Sequence, residues 1–294
     1  MLTIFSIPKP FRGHIGTIQR NAIQSWLKLS PLCEVVLCGD DPGVAEAAAE
    51  YGVKHLPHIA RNAYGIPLLN SAFELVQQAA KERLIVYVNA DIIFLSDLIA
   101  SVKRVTAKRF LMVGQRWDLD VSAPIDFKSE DWEPLLRKQV YSCGALHSPA
   151  GSDYFIFPNG VMGELPAFVV GRPGWDNWFI YRARALGIPV IDATGPNMVI
   201  HQNHDYSHIQ ESTKVPNLES PDARYNLKLF GDQEHVFTFT LYDATHRLTR
   251  RMLMPTWTPS HFERKWKALP VLKPWTGPLV RYLDRFIRKV AARL

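Results

Sequence analysis

Short apolar runs alternate with helical patterns through the first half of the chain, and this alternation restricts the possible folds more than any other feature. Residues 2–7 and 84–88 are short, mainly apolar runs that predict buried strands. Residues 18–29 repeat apolar side chains at helical spacing, and residues 67–81 do the same after a proline that suits a first helical turn. Consecutive strand–helix units of this kind predict an α/β domain with a mostly parallel, Rossmann-like sheet flanked by helices.

The second half of the chain is less regular. Residues 117–151 are mixed in character and contain prolines, so we interpret them as an irregular excursion over the sheet. Residues 154–158 predict a further strand and residues 175–186 a further helix. Proline and tryptophan then become frequent toward the C-terminus. The pattern predicts a main domain at 1–250 and a separate tail at 251–294.

The net charge of +6 belongs to the tail. From Arg250 onward eleven basic residues stand against two acids, so this part carries +9 and the remainder of the chain −3. A nucleic-acid-binding face on the main domain would need clustered lysine and arginine to neutralise phosphates. The charge pattern therefore predicts no nucleic-acid partner.

Cysteine usage and the lack of long apolar runs bear on location. Cys33, Cys38 and Cys143 form neither a paired framework nor a close metal-binding cluster, which favours a reducing compartment. The N-terminal apolar run is too short for a signal peptide, and no later run is long enough to span a bilayer. We therefore expect a cytoplasmic location.

The sharpest chemical signal lies in residues 86–94, where a buried strand is followed by Asn89, Ala90 and Asp91 and then by apolar residues. In open α/β sheets ligands bind beyond the carboxyl ends of the strands, and a carboxylate at that edge can hold a divalent cation. The alternative is an aspartate that only stabilises a turn or caps a helix.

Two further segments carry candidate site residues. His201 ends a short apolar strand and His204 follows within a run of histidines that extends to His208; imidazole is a ligand that favours manganese over magnesium. Asp176 lies between aromatic residues at the start of a predicted helix, and Asp153 begins the predicted strand after the excursion. Structural explanations remain open, because buried histidines, helix N-terminal aspartates and turn aspartates are common.

The Asn-Ala-Asp segment resembles the DxD motif of GT-A glycosyltransferases, with Asn in place of the first Asp, and the order of elements around it is similar to their nucleotide-binding half. The resemblance covers about residues 2–207 and is greatest to bacterial members, including cyanobacterial ones, with similar PKPF, NADII and HQNHDY runs. It implies a metal-dependent transferase with manganese or magnesium on Asp91 and Asn89 near the donor ribose or phosphate. A late His, first His201 and then His204, would complete the metal site.

The same resemblance suggests roles for the remaining residues. The segment around Asp176 is similar to the one that supplies the general base of inverting enzymes, and Asp153 is a candidate contact of the acceptor hydroxyl. On this interpretation residues 1–117 bind the nucleotide and residues 118–250 carry the acceptor and catalytic groups. Candidate donor contacts at strand ends and in a nearby loop are Ser6, Pro8, Asp40, Arg61 and Asn62, together with Asn89, Ala90 and Asp91.

The tail ends in a basic amphipathic pattern over residues 278–294, with arginines and Lys289 beside an apolar stripe. Such a helix binds an anionic membrane surface, packs on its own domain or forms a dimer contact, and the sequence leaves all three open.

Other functions also remain open at this stage. A nucleotidyltransferase on a related sheet would need a glycine-rich N-terminal loop, which the chain lacks. A catalytically silent nucleotide- or sugar-binding module is favoured by the Asn at position 89. The donor sugar, the acceptor and the stereochemical outcome are not indicated by any motif.

Overall fold

The computed structural model describes residues 2–29, 31, 33–204, 220–230 and 238–291, excluding the side chains of residues 284 and 286–291. Some predicted features lie outside this description: the histidine run beyond His204, and the part of the apolar stripe formed by Phe286, Ile287, Val290 and Leu294.

The first half contains alternating strands and helices, as predicted. Its elements are β1 (Leu2–Ser6), α1 (Gly13–Leu27), β2 (Cys33–Cys38), α2 (Val44–Tyr51), β3 (Lys54–Leu56), α3 (Leu69–Ala79), β4 (Leu84–Val88), β5 (Ile92–Phe94), α4 (Asp97–Arg104) and β6 (Leu111–Val113). The second half continues with β7 (Trp117–Leu119), α5 (Trp132–Cys143), β8 (Ala145–Leu146), β9 (Tyr154–Pro158), α6 (Trp175–Ala185), β10 (Val190–Asp192), β11 (Val199–Gln202), α7 (Pro221–Phe230), β12 (His246–Leu248), β13 (Leu253–Pro255), α8 (Pro259–Leu272) and α9 (Gly277–Ala291).

The central sheet confirms the predicted fold class. Within the described chain it has nine strands in the order β13-β12-β10-β6-β9-β4-β1-β2-β3. Only β9 and β13 run antiparallel to their neighbours. A sheet of this kind places the carboxyl ends of β1, β2 and β4 along one edge, where α/β proteins bind ligands.

Helices cover both faces of this sheet, which explains why its strands are continuous apolar runs. On one face Phe5 and Tyr87 pack with Phe73 of α3, with ring centroids 4.9 and 5.5 Å from that of Phe73. On the other face Ile4 and Val86 share an apolar cluster with the fully buried Trp26 of α1. The two clusters fix β4 rigidly, and β4 ends immediately before Asn89.

A second, smaller sheet corrects the expectation of an irregular excursion at 117–151. That segment contains β7, α5 and β8, and the sheet has the order β5-β11-β7-β8. Strands of two or three residues carry too little alternation to be detected in a sequence. In this sheet β11 pairs antiparallel with β5, with His201 opposite Ile92. The pairing brings the predicted histidines next to the turn that contains Asp91.

In the first half of the chain, two helices differ from expectation. Helix α1 begins at Gly13 rather than at residue 18, because its first turn contains two glycines and a single apolar side chain, Ile15, which is too little to mark a helix in the sequence. The helix α4 was not predicted because its eight residues are too few for the apolar side chains Leu98, Ile99 and Val102 to mark a helix in the sequence.

The predicted boundaries at 117/118 and 250/251 both fall within paired structure. The first lies inside β7, and the second lies between β12 and β13, which form an antiparallel hairpin at the edge of the central sheet. The functional division at these positions stays a prediction. The first strand of the predicted tail, β13, belongs to the central sheet. Among the residues described, no helix has both the length and the apolar character needed to cross a bilayer.

Candidate metal and nucleotide site

The turn after β4 is held in place by buried hydrogen bonds. The backbone N–H groups of Asn89 and Ile92 donate to Asp153 O and Asn89 O, at 2.9 and 3.2 Å. Gln202 binds the carbonyl oxygen of Asp91 twice, through its backbone N–H at 3.2 Å and its side-chain Nε2 at 3.1 Å. The backbone that carries Asp91 is therefore clamped between β9 and β11.

Gln202 connects this turn to helix α1. Its side chain is fully buried, donates to the Ile18 carbonyl oxygen at 2.8 Å and accepts a hydrogen bond from Asn21 at 3.0 Å. Buried amides of this kind are costly unless every polar atom is paired, and here the pairing fixes the position of the turn. Neither Gln202 nor Asn21 was predicted to be a site residue.

Asp91, His201 and His204 come together as the sequence predicted. One candidate ligand atom from each residue lies within 4.8 Å of the others. The Nε2 atoms of His204 and His201 are 3.1 and 3.8 Å from Asp91 Oδ2. Burial would raise the pKa of Asp91, but the hydrogen bond to His204 and the charges of His201 and Lys9 lower it to about 2. The carboxylate is therefore ionised at neutral pH.

These three residues fit a divalent cation. Asp91 Oδ1 is buried and has no hydrogen-bond partner in the described part of the chain, although buried polar atoms normally have one. One carboxylate with two imidazoles is a donor set that suits a transition metal such as manganese better than magnesium. The metal role of these residues stays a prediction that this geometry supports.

Asp118 lies behind His201 and was missed in the sequence. Its Oδ1 is 3.1 Å from His201 Nδ1, and its Oδ2 is 2.8 Å from His147 Nδ1. Arg116 Nε donates to Asp118 Oδ1 at 2.9 Å. Burial opposes ionisation of Asp118, but these three contacts outweigh it and hold its pKa far below the usual range. A carboxylate behind a ligating imidazole fixes the orientation of the ring.

Asp153 is engaged on both carboxylate oxygens. Oδ1 accepts a 2.8 Å hydrogen bond from Asn89 Nδ2, and Oδ2 forms an ion pair with Arg116. Tyr87 in turn donates its hydroxyl hydrogen to Asn89 Oδ1 at 3.1 Å. The chain of contacts Tyr87–Asn89–Asp153–Arg116–Asp118 links the DxD-like turn to the side chain behind His201. Like Asp118, Arg116 was not predicted from the sequence.

Asp176 lies in the first turn of α6, next to Asp153. Burial raises its pKa to about 6, and the nearby charge of Asp153 adds to the shift. The Ser152 N–H lies 3.4 Å from Asp176 Oδ2. Burial, and to a smaller extent the charges of Asp91, Asp153 and Asp176, raise the pKa of Tyr87. Of the predicted acidic residues, Asp91 and Asp153 line the cleft at this end of the sheet, whereas Asp176 lies close to Asp153 but outside the lining.

A cleft of about 320 Å³ opens at this end. Its lining includes the predicted residues Pro8, Asn89, Ala90, Asp91, Asp153, His201 and His204. It also includes three cationic side chains without a predicted role: Lys9, Arg172, and Arg116, which is paired with Asp118 and Asp153. Burial lowers the pKa of Lys9, opposed by the charge of Asp91. Carboxylates, imidazoles and cations thus share one cleft that has room for a small charged ligand.

Four predicted donor contacts lie outside the lining of this cleft. Ser6 is fully buried within β1. Arg61 pairs with Asp40 at 2.5 Å and with Asp41 at 3.0 Å. Asn62 accepts hydrogen bonds from two N–H groups of its own loop and donates to Asp222 in α7 at 3.0 Å. These contacts shape the loop, and a donor-binding role for the four residues stays a prediction.

Comparison with solved structures agrees with this architecture. No protein-family model matches the chain, and neither does any curated protein sequence. Residues 1–349 of S. aureus TarS, solved in complex with UDP-GlcNAc, match with a TM-score of 0.50 and 12% identity over 78% of this chain and 65% of that one. Glucosyl-3-phosphoglycerate synthase from Mycobacterium tuberculosis, solved with Mn²⁺, UDP and phosphoglyceric acid, gives a TM-score of 0.47 and 14% identity over 87% and 89% of the two chains.

A third similar structure is the mannosyltransferase PcManGT from Pyrobaculum calidifontis in complex with GDP-Man and Mn²⁺. It matches with a TM-score of 0.42 and 14% identity over 70% of this chain and 57% of that one. The TarS comparison identifies the fold of this chain as that of the GT-A nucleotide-sugar transferases, as the DxD-like segment had suggested.

Proposed function

We propose that this protein is a glycosyltransferase that moves a sugar from a nucleotide-sugar donor to an acceptor hydroxyl with the help of a divalent cation. The observation that carries the proposal is the group Asp91, His201 and His204, which faces a cleft at the carboxyl end of β4 on a GT-A fold. TarS, which shares the fold, was solved with UDP-GlcNAc, and this makes uridine nucleotides the first donors to test.

The cleft residues divide into a metal-binding and a phosphate-binding group. Asp91, His201 and His204 would hold manganese or magnesium. A divalent cation bound there would neutralise the charge of the nucleoside diphosphate as it leaves. Lys9 and Arg172 supply positive charge to the same cleft and are positioned to bind the donor phosphates. Ala90 and Asn89 line the cleft at the DxD-like turn, where the donor ribose would lie.

Asp176 is our proposed general base, which would make the enzyme inverting. A carboxyl group with a pKa of about 6 is ionised at neutral pH and basic enough to accept a proton from a reacting hydroxyl group. Asp153 is less suited to act as the general base, because Asn89 and Arg116 already bind both of its carboxylate oxygens. Its proposed role is to shape the acceptor side of the cleft.

A thermal-shift panel tests the donor and the metal together. UDP-, GDP-, CMP- and dTDP-sugars are added with and without manganese, since a ligand bound only to the native state stabilises it by about 2.7 kcal/mol at 100 times its Kd. We expect a manganese-dependent shift with one nucleotide, absent in Asp91→Asn and retained in the control Asp126→Asn. The control carboxylate is exposed and caps a loop N–H. No shift with any nucleotide would contradict the proposal.

A catalytically silent binding module is the second candidate, and Asn89 is the observation that favours it. Asn keeps the hydrogen-bonding ability of the usual Asp but lacks its charge. Both candidates predict a thermal shift, so release of nucleoside diphosphate from the bound donor distinguishes them. Release that requires manganese and is lost in Asp176→Asn would support the enzyme; binding without any release would support the module.

We also propose a cytoplasmic location, with peripheral contact to the membrane through residues 278–294. The described cysteines, Cys33, Cys38 and Cys143, are unpaired, as expected in a reducing compartment. A role in polysaccharide biosynthesis is part of the same proposal, with a glycan or a lipid-linked sugar as the acceptor.

A further inference from the structure

Helix α9 has two apolar sides, and only one of them faces the protein. Val280 is 5% exposed and Thr276, just before the helix, is 7% exposed, while Leu283 is half-buried. At 100° per residue these three positions span about 60° of the helix surface. This is the side that packs against the rest of the molecule.

Beside this packed side, the helix and the turn that precedes it present large apolar residues to solvent. Trp275, Leu279 and Tyr282 are 77%, 57% and 65% exposed. Leu279 and Tyr282 are three residues apart, so they lie next to each other on the helix surface, and Trp275 precedes Leu279 by four positions. Aromatic and aliphatic side chains of this size are rarely grouped on an exposed helix unless the surface binds something.

Basic side chains border this apolar side. Viewed along the helix axis, Arg285 lies about 60° beyond Tyr282, and Arg281 lies about 40° beyond Arg285 in the same direction. Both arginines and Lys273 are exposed. No carboxylate of the described residues forms an ion pair with these three side chains, whereas Lys267 of the preceding helix is paired with Glu263. We call the group Lys273, Trp275, Leu279, Arg281, Tyr282 and Arg285 the tail face.

We propose that the tail face docks on an anionic lipid surface. An apolar strip containing tryptophan and tyrosine with exposed arginines along its border is complementary to a bilayer interface, where aromatic rings lie at headgroup level and cations meet lipid phosphates. The segment from Arg250 onward carries +9 while the rest of the chain is slightly acidic, so charge complementarity directs this end of the molecule to the lipid. This inference rests on the membrane contact included in the proposed function and specifies its residues and lipid class, while its test does not depend on the chemistry in the cleft.

Vesicle co-sedimentation tests the proposal with the full-length protein. The vesicles contain phosphatidylcholine alone or an equimolar mixture of phosphatidylcholine and phosphatidylglycerol. We expect sedimentation with the anionic vesicles and little with the neutral ones. Arg281→Gln/Arg285→Gln should weaken binding about 30-fold, because each basic residue near an anionic surface contributes roughly fivefold to the affinity. Trp275→Ser/Leu279→Ser/Tyr282→Ser should abolish it.

Matched controls separate the tail face from general charge and hydrophobicity. Lys108→Gln/Arg109→Gln removes two exposed charges elsewhere, and Tyr141→Ser removes a tyrosine that is 71% exposed on α5. Both controls should bind like the unchanged protein, and all variants should melt at similar temperatures because the replaced side chains are exposed. The proposal is overturned if the unchanged protein stays in solution with anionic vesicles, or if the triple variant sediments with them as the unchanged protein does. It is equally overturned if light scattering shows that this face instead joins two copies of the chain.

Discussion

Asn89 Nδ2 donates a 2.8 Å hydrogen bond to Asp153 Oδ1. The GT-A motif usually has an aspartate at the position of Asn89, so this contact explains the departure in physical terms. An aspartate there would place two carboxylates in direct contact beside the buried carboxylate of Asp91. The amide instead joins Tyr87, Asp153 and Arg116 in one continuous network.

Asn89→Asp should therefore destabilise the protein, even though it introduces the residue that is usual in the motif. Two like charges at hydrogen-bond distance, with a buried donor lost, should reduce the free energy of unfolding by roughly 2–4 kcal/mol at neutral pH. Asn89→Ala, which loses the hydrogen bond without adding a charge, should cost less. Urea unfolding at pH 7 and pH 4 measures the free energy of unfolding of both variants. At the lower pH one carboxyl group becomes protonated, so the difference in stability between Asn89→Asp and Asn89→Ala should become smaller. If the Asn89→Asp variant were as stable at pH 7 as the unchanged protein, this explanation would be contradicted.

Some residues of the candidate site could be predicted from the sequence, and others could not. Asp91, His201 and His204 could be predicted because each follows an apolar strand, and the structure brings them together through the pairing of β5 with β11. Asp118 and Arg116 could not, because they lie in or beside a three-residue strand in a segment without periodicity. Their partners are 29 to 83 residues away in the chain, so their roles depend on long-range register that local patterns do not encode.

Asp118→Asn should weaken manganese binding while leaving the three ligands in place. Asp118 contacts the ring nitrogen of His201 that lies farther from Asp91, and loss of such a supporting carboxylate typically lowers metal affinity by about 10–100-fold. Isothermal titration with manganese measures the change in the absence of any substrate. Asp126→Asn is the matched control, since it removes an exposed carboxylate at a loop cap. Equal affinities for the two variants would show that Asp118 does not orient His201.

Asp176→Asn should make the protein more stable and less active. Burial raises the pKa of Asp176 from 3.8 to about 6, so the folded state binds this proton more tightly than the unfolded state does. The ionised carboxylate therefore opposes folding, fully above about pH 6 and not at all below about pH 3.8. Replacement by Asn should add roughly 1–3 kcal/mol of stability at pH 7 and almost none at pH 3.5. Denaturant unfolding at the two pH values measures this difference.

The same residue should determine how the reaction depends on pH. If Asp176 is the general base, the transfer rate should fall about tenfold per pH unit below pH 6, because the carboxyl becomes protonated. Asp176→Asn should reduce the rate about 100- to 10,000-fold and leave donor affinity unchanged. Rates of nucleoside diphosphate release from pH 5 to pH 8 provide the measurement. A variant with full activity would remove Asp176 from the mechanism, whatever its effect on stability.

Lys9→Met should change metal binding and nucleotide binding in opposite directions. Lys9 lines the cleft, and its charge helps to lower the pKa of Asp91, so the two side chains interact electrostatically. Removing the ammonium group should strengthen the binding of manganese alone, because one positive charge near the ligands is gone. It should weaken the binding of a nucleotide sugar about 10–100-fold, since a charge-assisted hydrogen bond to phosphate is lost. Titrations of each ligand against Lys9→Met and the exposed control Lys28→Met test both signs. If both affinities fell together, Lys9 would act by shaping the cleft, whereas opposite changes would identify it as the cation that binds the donor phosphates.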